Sequence, residues 1–126
     1  MDRYDPSQPP DPSKWLELDE QERLMLVEDH HRRARTELPN ARLHAALHVV
    51  VENQLAANDE PVVRALARLM KEGLTRHDAV HAIGSVVARH IFAVLKAPGA
   101  AGFSQARYYA DVERLTRANW HEDIDG

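Results

Sequence analysis

A chain of 126 residues is long enough for one domain whose core stands without staples. It has no cysteine, which excludes disulfides, iron–sulfur clusters and thiolate zinc sites, so any metal must be held by nitrogen and oxygen. Sixteen basic residues against twenty acidic ones, a formal net charge of −4, argue against a general nucleic-acid binder.

The start of the chain, MDRYDPSQPPDPSKW, lacks the apolar stretch of a signal peptide. No run reads as long enough to span a bilayer, and the expectation is a cytoplasmic protein that does not engage membranes. Prolines 6, 9, 10 and 12 alternate with Asp and Ser, so residues 1–14 read as a flexible tail. Residues 15–126 read as one helical metal-binding domain, with Trp15, Leu16 and Leu18 docking the tail onto it.

Asp19 is the expected N-cap of a helix running to about Leu38, and Pro39-Asn40 ends that helix and caps the next. The second helix spans Ala41 to about Ala57, with Leu43, Leu47, Val50, Val51 and Leu55 apolar. Asn58-Asp59-Glu60-Pro61 is a turn, with Asp59 as N-cap of a helix from Val62 to Glu72 and Pro61 in its first turn. Gly73 closes it as a left-handed cap. Thr75 starts a fourth helix, with Asp78 in the reciprocal capping position, that runs to about Lys96, where Ala97-Pro98-Gly99 stops it. A fifth, from Ser104 to about Trp120, carries Phe103, Tyr108, Val112 and Leu115 on one side. No alternating β pattern of useful length occurs. The expected fold is all-α, a single-domain bundle of about five helices.

The chemistry lies in the histidines. His44 and His48 are four residues apart and Glu52 extends the row by another turn; His77 and His81 repeat the spacing. Residues four apart on a helix share a face, with Cβ atoms roughly 5–6 Å apart, a separation at which two imidazoles can grip one ion. His44 and His48 flank Leu47 and Val51, while His77 and His81 share a side with Gly84, Ala88 and Ile91, where small residues admit a close neighbour. Burying several imidazoles without partners is costly. Coordination compensates for it, as does a hydrogen-bonded polar network in the core.

Because the helical rise is about 1.5 Å per residue, His44 and Glu52 lie roughly 12 Å apart along the axis, too far for one ion to hold both. Three arrangements follow. His44/His48 serve with His77/His81 and leave Glu52 as an outer partner; or His48/Glu52 face His77/His81; or the whole row holds two ions. In the first helix Glu28 and His31 form a Glu-x-x-His step of the kind di-iron bundles use, in line with Leu24 and Leu38. The candidate ligands are therefore His44, His48, Glu52, His77, His81, Glu28 and His31, for iron, manganese or zinc. His90 falls on the opposite face of its helix, and His121 in a polar tail.

The stretch from Leu43 to Phe92 contains Leu43-His44-x-x-x-His48-x-x-x-Glu52-Asn53-Gln54, then Gly73-x-x-Arg76-His77-x-x-x-His81-Ala82-Ile83-Gly84. It resembles a family of small bacterial helical proteins, a domain of unknown function, that share both blocks in this order over about residues 40 to 95. That resemblance implies a kind of protein and no particular activity. More loosely, His31, then His48-x-x-x-Glu52, then His77-x-x-x-His81 is similar to the ligand order of hemerythrin-like oxygen carriers. The chain departs from them in the helix between the blocks and in the absence of a final His-x-x-x-x-Asp.

Three functional readings follow. One is a non-haem metalloprotein whose ion works on a small-molecule substrate or oxygen, with Glu52 as general base or bridging ligand and Gln54 or Ser85 orienting the substrate. Another is a structural or sensing ion that ties helices together. The third is a metal-free helix-turn-helix-like module, with Arg76 and His77 leading a recognition helix and Arg32, Arg33 and Arg35 near phosphate. Tyr108, Tyr109 and the last helix could wall the site or form a homodimer contact.

Overall fold

Five of the six described helices begin at a side chain that caps them. The computed structural model describes residues 1–34, 40–97 and 102–120. Over those residues it is all-α, with six helices: α1 Pro12–Glu17, α2 Glu20–Arg33, α3 Ala41–Ala56, α4 Glu60–Lys71, α5 Arg76–Lys96 and α6 Gln105–Arg114. Asp19 and Glu22 complete a capping box on α2, and Asn40 and Thr75 accept from the backbone amides of Leu43 and Asp78. Asp59 stands at the N-cap of α4 without capping it. Its carboxylate instead accepts from the Tyr109 hydroxyl at 2.6 and 2.7 Å. The expected helix end near Leu38, the Pro98-Gly99 stop and His121 lie outside the described residues.

Two expected boundaries move. The sixth helix is α1, which begins inside the 1–14 segment expected to be a flexible tail and runs on through Trp15 and Leu16. Asp11 caps it, Pro12 supplies a preset φ in its first turn, and Trp15 is fully buried. Asn53 Oδ1 accepts from Trp15 Nε1 at 2.9 Å and from Arg23 Nη1 at 3.0 Å. Arg23 also donates to the carbonyls of Trp15 and Leu16. This polar staple, with Tyr4 buried beside it, lays the proline-rich segment against the bundle. At the other end α6 stops at Arg114 rather than near Trp120. Thr116 and Asn119 exchange side-chain-to-backbone hydrogen bonds of 2.8 and 3.2 Å, a local alternative to helix, and Arg68 takes up the carbonyls of Val112 and Leu115.

α3 is the hub, packing against α1, α2, α4 and α5. It gives Leu47 and Val51 to a large core shared with α4, α5 and α6, and Ala45 and Val49 to a smaller one with Tyr4, Trp15 and Val27. At about 100° per residue, the row His44–His48–Glu52 falls between these two apolar faces. α5 is long and apolar enough, by length and composition, to cross a membrane, with a mean hydropathy of 1.3. This corrects the sequence reading that no run qualifies. Every residue of it from Ala79 to Ala88 is buried in the bundle, which is the burial of a core helix.

Candidate metal centre

Three helices bring five imidazoles to one place. α3 supplies His44 and His48, α5 supplies His77 and His81, and α2 supplies His31. His31, His44 and His48 each offer a ring nitrogen within 4.8 Å of the others, and so do His48, His77 and His81. Between the groups the approach is closer. His81 Nε2 lies 2.8 Å from His48 Nε2 and 2.9 Å from His44 Nε2. His31, His44, His48 and His81 are between 1 % and 7 % exposed, and His77 is half-buried. His30, also half-buried, closes the ring of aromatics with its centroid 6.0 Å from that of His77.

Glu52 is the anchor behind this cluster. Its carboxylate receives two parallel hydrogen bonds from Arg76, at 2.8 Å on Oε1 and 2.9 Å on Oε2, and both side chains are almost wholly buried. Arg76 Nη1 also donates to the Pro6 carbonyl at 2.9 Å. The Tyr4 hydroxyl donates to Glu52 Oε2 at 2.5 Å and lies 3.1 Å from His48 Nδ1. A phenol has one proton, and here it goes to the carboxylate. Tyr4 must then accept from His48, which places the His48 proton on Nδ1 and a lone pair on Nε2. The chain Arg76–Glu52–Tyr4–His48 thus aims a bare nitrogen at His81.

Proton counting shows what the cluster does well. With His48 Nε2 unprotonated, a single proton on His81 Nε2 serves one of its two short contacts at full strength. Two nitrogens each about 2.0–2.1 Å from one ion sit roughly 2.9 Å apart at a right angle and 3.4 Å apart at a tetrahedral one, the scale of the 2.8 Å His48–His81 contact. Both nitrogens of His31 and the Nε2 of His77 are buried without a hydrogen-bond partner, donor atoms that a cation would satisfy.

The electrostatics favour the neutral form of His30, His31, His48, His77 and His81. Burial, with His44, His30 and His77 nearby, lowers the His31 imidazole to about 4. Burial and the imidazole of His77 lower His81 to about 3. His48 is held well below its ordinary value by burial and by His81, and His30 and His77 are lowered too, burial again leading. Burial and the adjoining Glu52 carboxylate push the Tyr4 phenol well above its usual range. For Arg76 burial acts to lower its value, but the contacts with Glu52 outweigh it and the guanidinium is raised. A neutral imidazole is the form that binds metal.

Of the seven candidate ligands, five histidines come together and two carboxylates do not. Glu52 is committed to Arg76 and Tyr4, and the Tyr4 hydroxyl stands between it and His48. Glu28 pairs with Arg42 at 3.7 Å and belongs to neither histidine group. Gln54 accepts from the Tyr108 hydroxyl at 2.7 Å, and Ser85 donates to the Ala82 carbonyl at 2.7 Å, so both substrate-orienting candidates are engaged elsewhere. Arg76 is buried against Glu52 rather than presented at the tip of a recognition helix. Arg32 and Arg33 pair with Asp29, and Arg35 lies outside the described residues. Sequence reasoning missed Tyr4 and the Arg76–Glu52 pair. The signals were faint: one aromatic in a polar tail, and one cation adjoining His77.

Comparison with models of known families, with curated proteins and with solved structures finds no match to this chain.

Proposed function

We propose that this protein is a non-haem metal-binding protein whose ion-holding residues are the histidines gathered between α2, α3 and α5. The observation that carries the reading is the approach of three ring nitrogens, His48–His81 at 2.8 Å and His81–His44 at 2.9 Å, with one of them fixed as an acceptor by its bond to Tyr4. Glu52, Tyr4 and Arg76 hold the His48 ring in place, the arrangement that orients metal-binding imidazoles generally. The half-buried side of the cluster, at His30 and His77, is where a small molecule would reach the ion, so chemistry on oxygen, water or a small substrate fits this geometry.

A second reading is a structural or sensing ion that locks the three helices. The deep burial of His44 and His48 favours it. Cobalt(II) separates these readings and tests both. Titrated into metal-free protein, it should give d–d absorption that is absent from the His44→Ala/His48→Ala/His81→Ala variant. If azide shifts that spectrum, the ion has an open position and the functional reading stands; an unmoved spectrum leaves the structural one. No cobalt spectrum at all in folded wild-type protein overturns both.

A further inference from the structure

The number and chemistry of the donors reach beyond the presence of an ion. Five imidazoles are more than one ion of the usual four-coordinate kind takes from protein, and they divide into two groups, His31/His44/His48 and His48/His77/His81. The shared member cannot serve two ions: His48 Nδ1 is engaged with the Tyr4 hydroxyl, so only its Nε2 faces the cluster. His31 and His77 carry the donor nitrogens that are buried without a hydrogen bond. Each adjoins a different neighbour, with ring centroids 4.8 Å apart for His31 and His44 and 4.4 Å apart for His77 and His81. The short contact between His44 and His81 is where the two groups meet.

Among the described residues, the grouped donors are also all nitrogen. Among the described acids near the cluster, Glu52 is neutralised by Arg76, Glu28 pairs with Arg42, Asp5 accepts from Ser7, and Asp5 and Asp78 act on His77 through space. Hard ions such as manganese prefer carboxylate and water, while imidazole suits zinc and copper, which also stand at the high end of the divalent affinity order.

We infer that the cluster is a two-ion centre of the zinc and copper class, one ion held by His31 and His44 and the other by His48, His77 and His81. This rests on the metal-binding reading above, and the two can fail separately. Full-length metal-free protein is equilibrated with excess Zn²⁺ or Mn²⁺, desalted over a weak chelator and counted by elemental mass spectrometry, with folding followed by circular dichroism. Wild-type chain should retain two zinc ions and no manganese. The His31→Ala/His44→Ala and His77→Ala/His81→Ala variants should each retain one, and His90→Ala, whose ring pairs with Asp111 away from the cluster, should retain two. One zinc ion in the wild type overturns the two-ion centre while leaving metal binding intact. Manganese retained as firmly as zinc overturns the assignment of the ion class. No retained ion in folded wild type overturns this inference and the metal-binding reading together. The wild-type counts decide whether or not the variants fold.

Discussion

Tyr4 and His48, separated by 44 residues, meet through a hydrogen bond of 3.1 Å in the protein interior. That contact ties the start of the chain to the middle of the hub helix and determines which nitrogen of His48 faces the other imidazoles. It makes the N-terminal segment part of the candidate centre.

The Tyr4→Phe variant keeps the ring and removes the hydroxyl. His48 then loses the acceptor that fixes its tautomer, and Glu52 loses a donor. Outer partners of this kind are worth about 10–100-fold in metal affinity, and a buried group left without its hydrogen bond costs about 1–3 kcal/mol. Competition against a chromophoric chelator should show weaker zinc binding in the variant, and urea denaturation a lower midpoint. Unchanged affinity would mean that His48 is held by packing alone.

The Glu52–Arg76 pair is nearly inaccessible to water, so its members depend on each other. Removing one partner of such a pair costs about 3–5 kcal/mol, because the other stays buried and uncompensated, whereas removing both costs much less. Glu52→Gln and Arg76→Met should each lower stability strongly, and the double variant should be more stable than the sum of the two losses implies. A thermodynamic cycle from denaturation midpoints measures this. Strict additivity would contradict the coupling.

The folded, metal-free protein should lose stability as the solution is acidified below neutrality. In the unfolded chain His31 and His81 take up protons near 6.5, but in the folded protein only near 4 and 3. Between those values the unfolded state binds more protons, so acid favours unfolding. Stability should be level above about pH 7 and fall from 6.5 towards 4, ahead of the range in which ordinary carboxylates titrate. Midpoints measured from pH 8 to pH 5 test this, and the His31→Leu variant should show a shallower fall. A flat profile from 7 to 5 would contradict the buried neutral state of these rings.

Gly73 follows the C-cap of α4 with φ +111°, a backbone conformation that a side chain disfavours. A Cβ there would also lie 2.7 Å from Arg117 Nη1, the flexible end of a long side chain, so the backbone carries most of the effect. Gly73→Ala should lower stability by about 1 kcal/mol or more without changing metal affinity, since the turn lies between α4 and α5 and supplies no donor.

Much of the fold was legible because its signals are local. Asp19, Asn40, Thr75 and Gly73 mark boundaries through caps that depend on a few neighbouring residues, and the structure keeps them there. The histidine row was legible for the same reason, since four-residue spacing on a helix fixes a shared face whatever the tertiary setting. The role of Glu52 was not. Its spacing is as good as that of His48, and only the arrival of Arg76 from α5 and Tyr4 from the N-terminal segment turns it from ligand to anchor. Those contacts join residues 24 and 48 positions apart, and no periodicity records them. α1 was hidden likewise, because what holds it down is a buried arginine and an asparagine rather than an apolar stripe. The early end of α6 depends on Thr116 and Asn119 bonding to each other's backbone, a local competition that the apolar pattern of the helix conceals.

The most direct test of the central claim is the metal content of untagged protein purified without chelator, measured by elemental mass spectrometry beside the His48→Ala/His81→Ala variant. The account requires at least one equivalent of a transition metal in the wild type and less of it in the variant, with none left once His44→Ala is added. Wild-type protein that is folded, metal-free and still empty after exposure to zinc, copper, iron and manganese would contradict it and leave the five imidazoles as a polar core.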